Sequence, residues 1–191
     1  MQRWTVVCLM LTLMLAGCVE QPPVRPEVEQ EEVVTIELPD AIPNWMGTDH
    51  TNTTRSFEAY ENASYMAYFS APWCAHCEST IDTYDSVLPA DRIVVFSMES
   101  REEYENMSEW HNTTETNLNR TIDRPFIRYP SLAKELGVRS IPHAIFINAQ
   151  GYVFHVQVGK TTNTTYVQEM WDTTELAMFD PDTGWSHELI L

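Results

Sequence analysis

Between Tyr65 and Cys77 the chain reads YMAYFSAPWCAHC, an aromatic and apolar run closed by Pro72 and followed at once by two cysteines three residues apart. A run this short, bounded by Asn62 and Ser64 on one side and a proline on the other, predicts a buried strand over Tyr65–Ala71. From Cys74 the period changes. Cys77, Ile81, Tyr84 and Leu88 recur at helical spacing while Glu78, Asp82 and Asp85 form an adjoining polar stripe, which predicts an amphipathic helix over 74–88 ended by Pro89. The cysteine pair therefore falls at a strand-to-helix turn, inside the first helical turn.

The same periodicities run downstream. RIVVFSM (92–98) predicts the next buried strand, joined to the first by a right-handed parallel crossover. REEYENMSEWH (101–111) predicts a polar helix followed by a loop to about residue 128, and SLAKELGV (131–138) a short helix stopped by Gly137. IPHAIFIN (141–148), the turn AQG and YVFHVQVG (152–159) predict a hairpin, with Tyr152, Phe154, Val156 and Val158 on one face. A last helix spans about 164–178, burying Val167, Met170, Trp171 and Met178. The order is β-α-β-α-β-β-α, and no element is assigned after Phe179. At 191 residues this is one domain with appendages.

The first residues, MQRWTVVCLMLTLMLAGC, combine Arg3, an apolar run and small residues before Cys18 in the layout of an export signal, too short to span a membrane comfortably. LAGC (15–18) resembles a lipobox, which implies cleavage after residue 17 and lipid on Cys18; an ordinary cleaved signal and an uncleaved anchor are the alternatives. Residues 18–43, with EQPPVRPEVEQEEVV, read as an extended, self-repelling acidic spacer, although VVTIEL (33–38) also fits a first strand. Residues 44–179 then form the domain and 180–191 a tail. Six Asn-x-Ser/Thr sequons, at Asn52, Asn62, Asn106, Asn112, Asn119 and Asn163, fit either glycosylation of an exported protein or a Thr- and Asn-rich exposed surface.

With Cys8 discarded and Cys18 lipidated, two of the four cysteines, Cys74 and Cys77, are the free thiols of a mature chain outside the reducing cytosol. A net charge of −17 and only two lysines, Lys134 and Lys160, exclude a phosphate-binding basic patch, and so a nucleic-acid partner. At a helix N-terminus the free N–H groups and the macrodipole favour an anion, so Cys74 is the expected nucleophile. Cys77, one turn on, is placed to resolve a mixed disulfide. His76, when protonated, adds a charge that stabilises a Cys74 thiolate and makes the disulfide more oxidising; Glu78 opposes it. Half of a zinc site is one other reading of the pair, but no second CxxC exists. A structural disulfide is another, but so small a loop removes little chain entropy.

FSAPWCAHC (69–77) resembles the active-site strand and turn of the thioredoxin superfamily, and its WCxHC form is similar to that of protein disulfide isomerases. GVRSIPHAIFINAQGYVFHVQVG (137–159) resembles the second half of the same fold. With the lipobox, the whole is most similar to TlpA-type extracytoplasmic thiol:disulfide oxidoreductases. The resemblance implies a three-layer α/β fold, a central mixed sheet of four to five strands with helices on both faces. It also implies a Cys74–Cys77 redox disulfide, Trp73 as an aromatic wall, Pro142 as a cis-proline, and Ile141 offering its backbone to a substrate strand. Two positions depart from the pattern: Tyr68 stands where thioredoxins carry a buried acid, and Thr80 where many TlpA-type proteins carry a glutamate. His143 is a candidate to sit near the pair in their stead.

The expected activity is a lipid-anchored oxidoreductase acting on thiols and disulfides of exported proteins, without a cofactor, leaning to oxidase or isomerase, with a membrane redox protein as a further partner. A reductase for cytochrome or metal-site assembly, and a non-catalytic metal- or partner-binding lipoprotein, are the alternatives.

Overall fold

The computed structural model of the protein describes residues 39–101 and 106–186. The signal segment, Cys18, the spacer with VVTIEL, and His187 lie outside the described residues.

A short hairpin opens the domain, β1 (Met46–Thr48) against β2 (Thr54–Ser56). Its turn is organised by Asp49, a buried carboxylate that accepts from the backbone N–H of Thr51 and Thr53, the Thr51 hydroxyl at 2.6 Å and Arg55 Nε at 2.7 Å. Five strands then build the central sheet: β3 (Tyr65–Ser70), β4 (Ile93–Ser97), β5 (Phe126–Arg128), β6 (His143–Ile147) and β7 (Val153–Val158). Their spatial order is β5-β4-β3-β6-β7; β3, β4 and β5 pair in parallel, while β3–β6 and β6–β7 are antiparallel. Every residue of β3 and β4 is buried, which is why both read as continuous apolar runs rather than as alternations.

The helices are α1 (Ala75–Val87), α2 (Asn106–Leu118), α3 (Pro130–Glu135) and α4 (Thr164–Leu176). One face of the sheet packs Met66, Tyr68, Ile93, Val95 and Phe146 against α1, α2 and α4. The other packs Ala67, Phe69, Val94, Phe96 and Ile145 against α3 and Trp45. Alternate residues of each strand thus serve alternate layers, as the pleat requires, and the three-layer α/β architecture with a mixed five-stranded sheet stands.

Several elements exceed the sequence expectations. Helix α2 continues to Leu118 through residues assigned to a loop, and β5 lies within that loop. Helix α4 ends at Leu176, so Met178, expected on its buried face, instead opens β8 (Met178–Asp180) with 48% of its surface exposed; β8 pairs with β9 (Gly184–Ser186) in the tail assigned no element, closing Phe179 and Trp185 over Tyr152 and Phe154. Gly47 lets β1 lie against β5, since a Cβ there would meet Ile127 Cγ2 at 2.6 Å. All six sequon asparagines are exposed. Asn52, Asn62 and Asn119 adopt positive φ at turns, and Asn163 caps α4 by accepting from the Tyr166 N–H, so four of the six have a conformational role of their own. Among the described residues no helix is long and apolar enough to cross a membrane.

Candidate active site

The carboxyl ends of β3 and β4 and the amino end of β6 meet at one edge of the sheet, and α1 starts there. The chain leaves β3 at Ser70, turns through Ala71, Pro72 and Trp73, and enters α1 with Cys74 as the N-cap residue. The turn is closed by backbone bonds from Cys74 N–H to Ala71 C=O and from Cys77 N–H to Cys74 C=O, each 3.0 Å. Cys74 and Cys77 are joined by a disulfide of 2.04 Å. Cys74 is 9% exposed and Cys77 2%, so a partner sulfur approaching from solvent meets Cys74.

The β3–β6 ladder ends with Phe69 opposite His143. The Ile141–Pro142 peptide bond, which is cis, therefore lies just past the last pair, alongside the turn that leads into the cysteines. Pro142 is buried; Ile141 is half-buried and packs against the cluster that contains both cysteines. Trp73 projects into solvent with 64% of its surface exposed. His76 is also exposed, in the first turn of α1, and its carbonyl accepts from the hydroxyls of Ser79 and Thr80. Cys74, Cys77, Trp73, Ile141 and Pro142 are thus brought to one rim. His143 is not: it shares the face of Phe69, its ring edge-on at 6.3 Å, while the cysteines belong to the opposite layer. Burial lowers the His143 pKa, and its Nδ1 has no hydrogen-bond partner among the described residues.

Tyr68 lies directly under the pair. Fully buried, it donates its hydroxyl to the Cys77 carbonyl at 2.9 Å. Burial, reinforced by Tyr84 beside it, pushes the phenol well above its ordinary range. The phenol is a donor to the helix, then, and no acceptor for a thiol proton.

Glu99, just past β4, is a neighbour that the sequence did not single out. Arg101 clamps its carboxylate through Nε and Nη2, both at 2.9 Å, and through its backbone N–H. These bonds hold the Glu99 pKa down to about 2. Among the described residues no three His, Cys, Asp or Glu side chains converge to hold a metal ion.

The arrangement suits exchange between sulfurs: the less buried sulfur at a helix N-terminus, its more deeply buried partner one turn on, and an exposed aromatic wall beside them. Comparison with known proteins agrees with this geometry. Residues 57–173, more than half of the chain, match the profile of a thioredoxin-like domain family. Among solved structures, a thiol:disulfide interchange protein of the thioredoxin family from Chlorobium tepidum superposes with a TM-score of 0.58 at 19% identity, over 73% of this chain and 98% of its own. The exposed lipoprotein thioredoxin of Streptococcus pneumoniae gives 0.54 at 15% identity, over 68% and 98%. A secreted disulfide oxidoreductase of Mycobacterium tuberculosis gives 0.53 at 11% identity, over 67% and 94%. At these identities the likeness is one of fold. The comparison with curated proteins found no match to the chain.

Proposed function

The chain belongs to the thioredoxin-like domain family and is a thiol:disulfide oxidoreductase; from that premise we propose that it is exported, held to the membrane by lipid on Cys18, and donates or rearranges disulfides in exported proteins. The observation that carries the reading is the Cys74–Cys77 disulfide itself, with the more exposed sulfur on the N-cap of α1 and the other buried one turn on.

In the oxidising direction a partner thiolate attacks Cys74 Sγ, the Cys74–Cys77 bond breaks, and Cys77 leaves as a thiolate that takes a proton. A second partner thiolate then attacks its own sulfur in the mixed disulfide, and Cys74 leaves with the electron pair. The partner dithiol is oxidised by two electrons and the Cys74/Cys77 pair reduced. Direction depends on how well the protein stabilises Cys74 as a thiolate. The N-cap position and the exposed His76 in the same turn both favour that form, and the buried Tyr68 supplies no charge against it. Trp73 walls the approach, and the Ile141 backbone beside cis-Pro142 pairs with the incoming segment.

Export accounts for the rest. The lipobox-like LAGC supports a lipid at Cys18, the Glu- and Pro-rich spacer extends the domain from the bilayer, and the exposed sequons are open to glycosylation. The exposed lipoprotein thioredoxin of similar fold is a precedent for that placement.

The test is the equilibrium reduction potential of the pair against glutathione. The expected value lies in the isomerase-to-oxidase range, about −180 to −120 mV, and His76→Pro should shift it toward the reducing side. A wild-type value near −270 mV, that of thioredoxin, replaces this reading with a reductase, and a His76→Pro variant that is unchanged or more oxidising removes His76 from the account.

A further inference from the structure

Resolution of a mixed disulfide on Cys74 needs the buried Cys77 to lose a proton, and Tyr68, beneath it, is committed as a donor to the Cys77 carbonyl. A small cavity, about 10 Å³, lies under the disulfide between α1, α2, β3 and β5. A volume of this size accepts about one water centre. Tyr68, Ser70, Cys77, Glu78 and Thr114 are among the residues that line it, and of all the lining residues Glu78 alone is acidic. Glu78 is half-buried, and its position is set from across the helix pair: Asn117 Nδ2, on α2, donates to Glu78 Oε1 at 2.7 Å.

We infer that Glu78 is the proton acceptor for Cys77, reached through a single water in this cavity and oriented by Asn117. The inference rests on the thiol:disulfide chemistry above and holds for either direction of electron flow. In the reducing half-reaction Cys77 S–H passes its proton through the water to the Glu78 carboxylate. The Cys77 thiolate attacks Cys74 Sγ, the bond from Cys74 to the partner sulfur breaks, and the partner leaves as a thiolate. The pair is oxidised to the disulfide and the partner, which released its first thiol when the mixed disulfide formed, is reduced by two electrons. In the oxidising direction the path runs backwards: a proton taken from solvent passes by way of Glu78 and the water to Cys77 as that sulfur leaves. The same carboxylate disfavours a thiolate beside it at rest, so Cys77 is kept as a thiol until it is needed.

The experiment mixes the reduced full-length protein with oxidised glutathione and follows the Cys74–glutathione mixed disulfide by rapid quench and intact mass. Glu78→Gln preserves the acceptor for Asn117 and removes the base. At pH 7 its mixed disulfide should persist at least about tenfold longer than in the wild type, at the low end of what a positioned base contributes. The deficit should close as the pH rises past about 8.5, where solvent deprotonates the thiol unaided. Glu78→Asp should recover part of the rate. A Glu78→Gln variant that resolves at the wild-type rate at pH 7, or lags by the same factor at every pH, overturns the inference. A wild type whose mixed disulfide never resolves overturns the redox reading itself, and the inference with it.

Discussion

Asp85→Asn should be among the most damaging single changes in the domain away from the disulfide. Asp85 lies on the inner side of α1 with its side chain 9% exposed, and each of its oxygens takes a different arginine, Oδ1 receiving Arg124 Nε and Oδ2 receiving Arg120 Nη1. Arg124 is itself 3% exposed and otherwise donates only to backbone, to Leu88 C=O at 3.0 Å and Pro89 C=O at 2.5 Å, the carbonyls at the end of α1. An asparagine retains one acceptor and turns an NH₂ toward the other guanidinium. Removing one partner of a buried ion pair costs about 3–5 kcal/mol. Two carbonyls still face Arg124, so the lower end, about 3 kcal/mol, is expected. For a chain of this size that lowers Tm by about 6–12 °C. Asp82 offers the internal control: it binds the same Arg120 at 2.8 Å but is 49% exposed. Asp82→Asn should therefore cost less than about 1 kcal/mol. Thermal unfolding of the oxidised protein, followed by far-ultraviolet circular dichroism, measures both. Equal shifts for the two variants would refute the claim that burial of the Asp85–Arg124 pair is what counts.

Tyr84→Phe should stabilise the protein, because the Tyr84 hydroxyl is buried with no hydrogen-bond partner among the described residues. Relief of about 1 kcal/mol would raise Tm by about 2–4 °C, and a fall in Tm would show that the hydroxyl is satisfied. Acid should act through His50, whose ring stacks on His111 at 3.7 Å and whose Nδ1 accepts the Phe126 N–H. Burial, then His111, lower its pKa against the opposing pull of Asp49 and Glu115. The unfolded chain therefore takes up this proton first, and stability is lost as the pH falls below about 6.5. Between pH 7 and 5 the Tm of His50→Gln should decline less steeply than that of the wild type; parallel curves would remove His50 as the cause.

The parts of the fold legible in the sequence are those whose signal is local. Strands β3, β4 and β6 show as short apolar runs, β7 by alternation and helices α1 and α4 by their helical period, and the cysteine pair announces its chemistry because nucleophile, partner and helix start lie within four residues. What escaped depends on contacts between distant segments. Phe126–Arg128 is too short to show any alternation and becomes a strand only through parallel pairing with β4. The second half of α2, NTTETNL, is poor in helix formers. There Thr114 and Thr116 return their hydroxyls to the carbonyls of Trp110 and Asn112, and packing of Trp110 against Phe126 at 4.7 Å holds the helix. Tyr152 and Phe154 gave β7 an apolar face, but not the identity of its cover, which β8 and β9 supply from the tail.

The same distinction separates the obvious half of the site from the hidden half. Cys74, Cys77, His76 and Trp73 are consecutive enough to be read together, yet groups that bear on them come from elsewhere: Tyr68, on β3, holds the Cys77 carbonyl, and Asn117, on α2, holds Glu78. Tyr68 shows why this matters. Read by position alone, it marks a missing acid and argues for a slow enzyme. Placed in the fold, it is a hydroxyl that braces the first turn of α1 through the Cys77 carbonyl, while Glu78, one residue past that cysteine, is among the residues that line the cavity beneath it. Bracing the turn and accepting the proton are then separate tasks on separate residues, so Tyr68→Phe should loosen the turn and lower stability without changing the pH at which Cys77 resolves a mixed disulfide. Glu78→Gln should do the reverse.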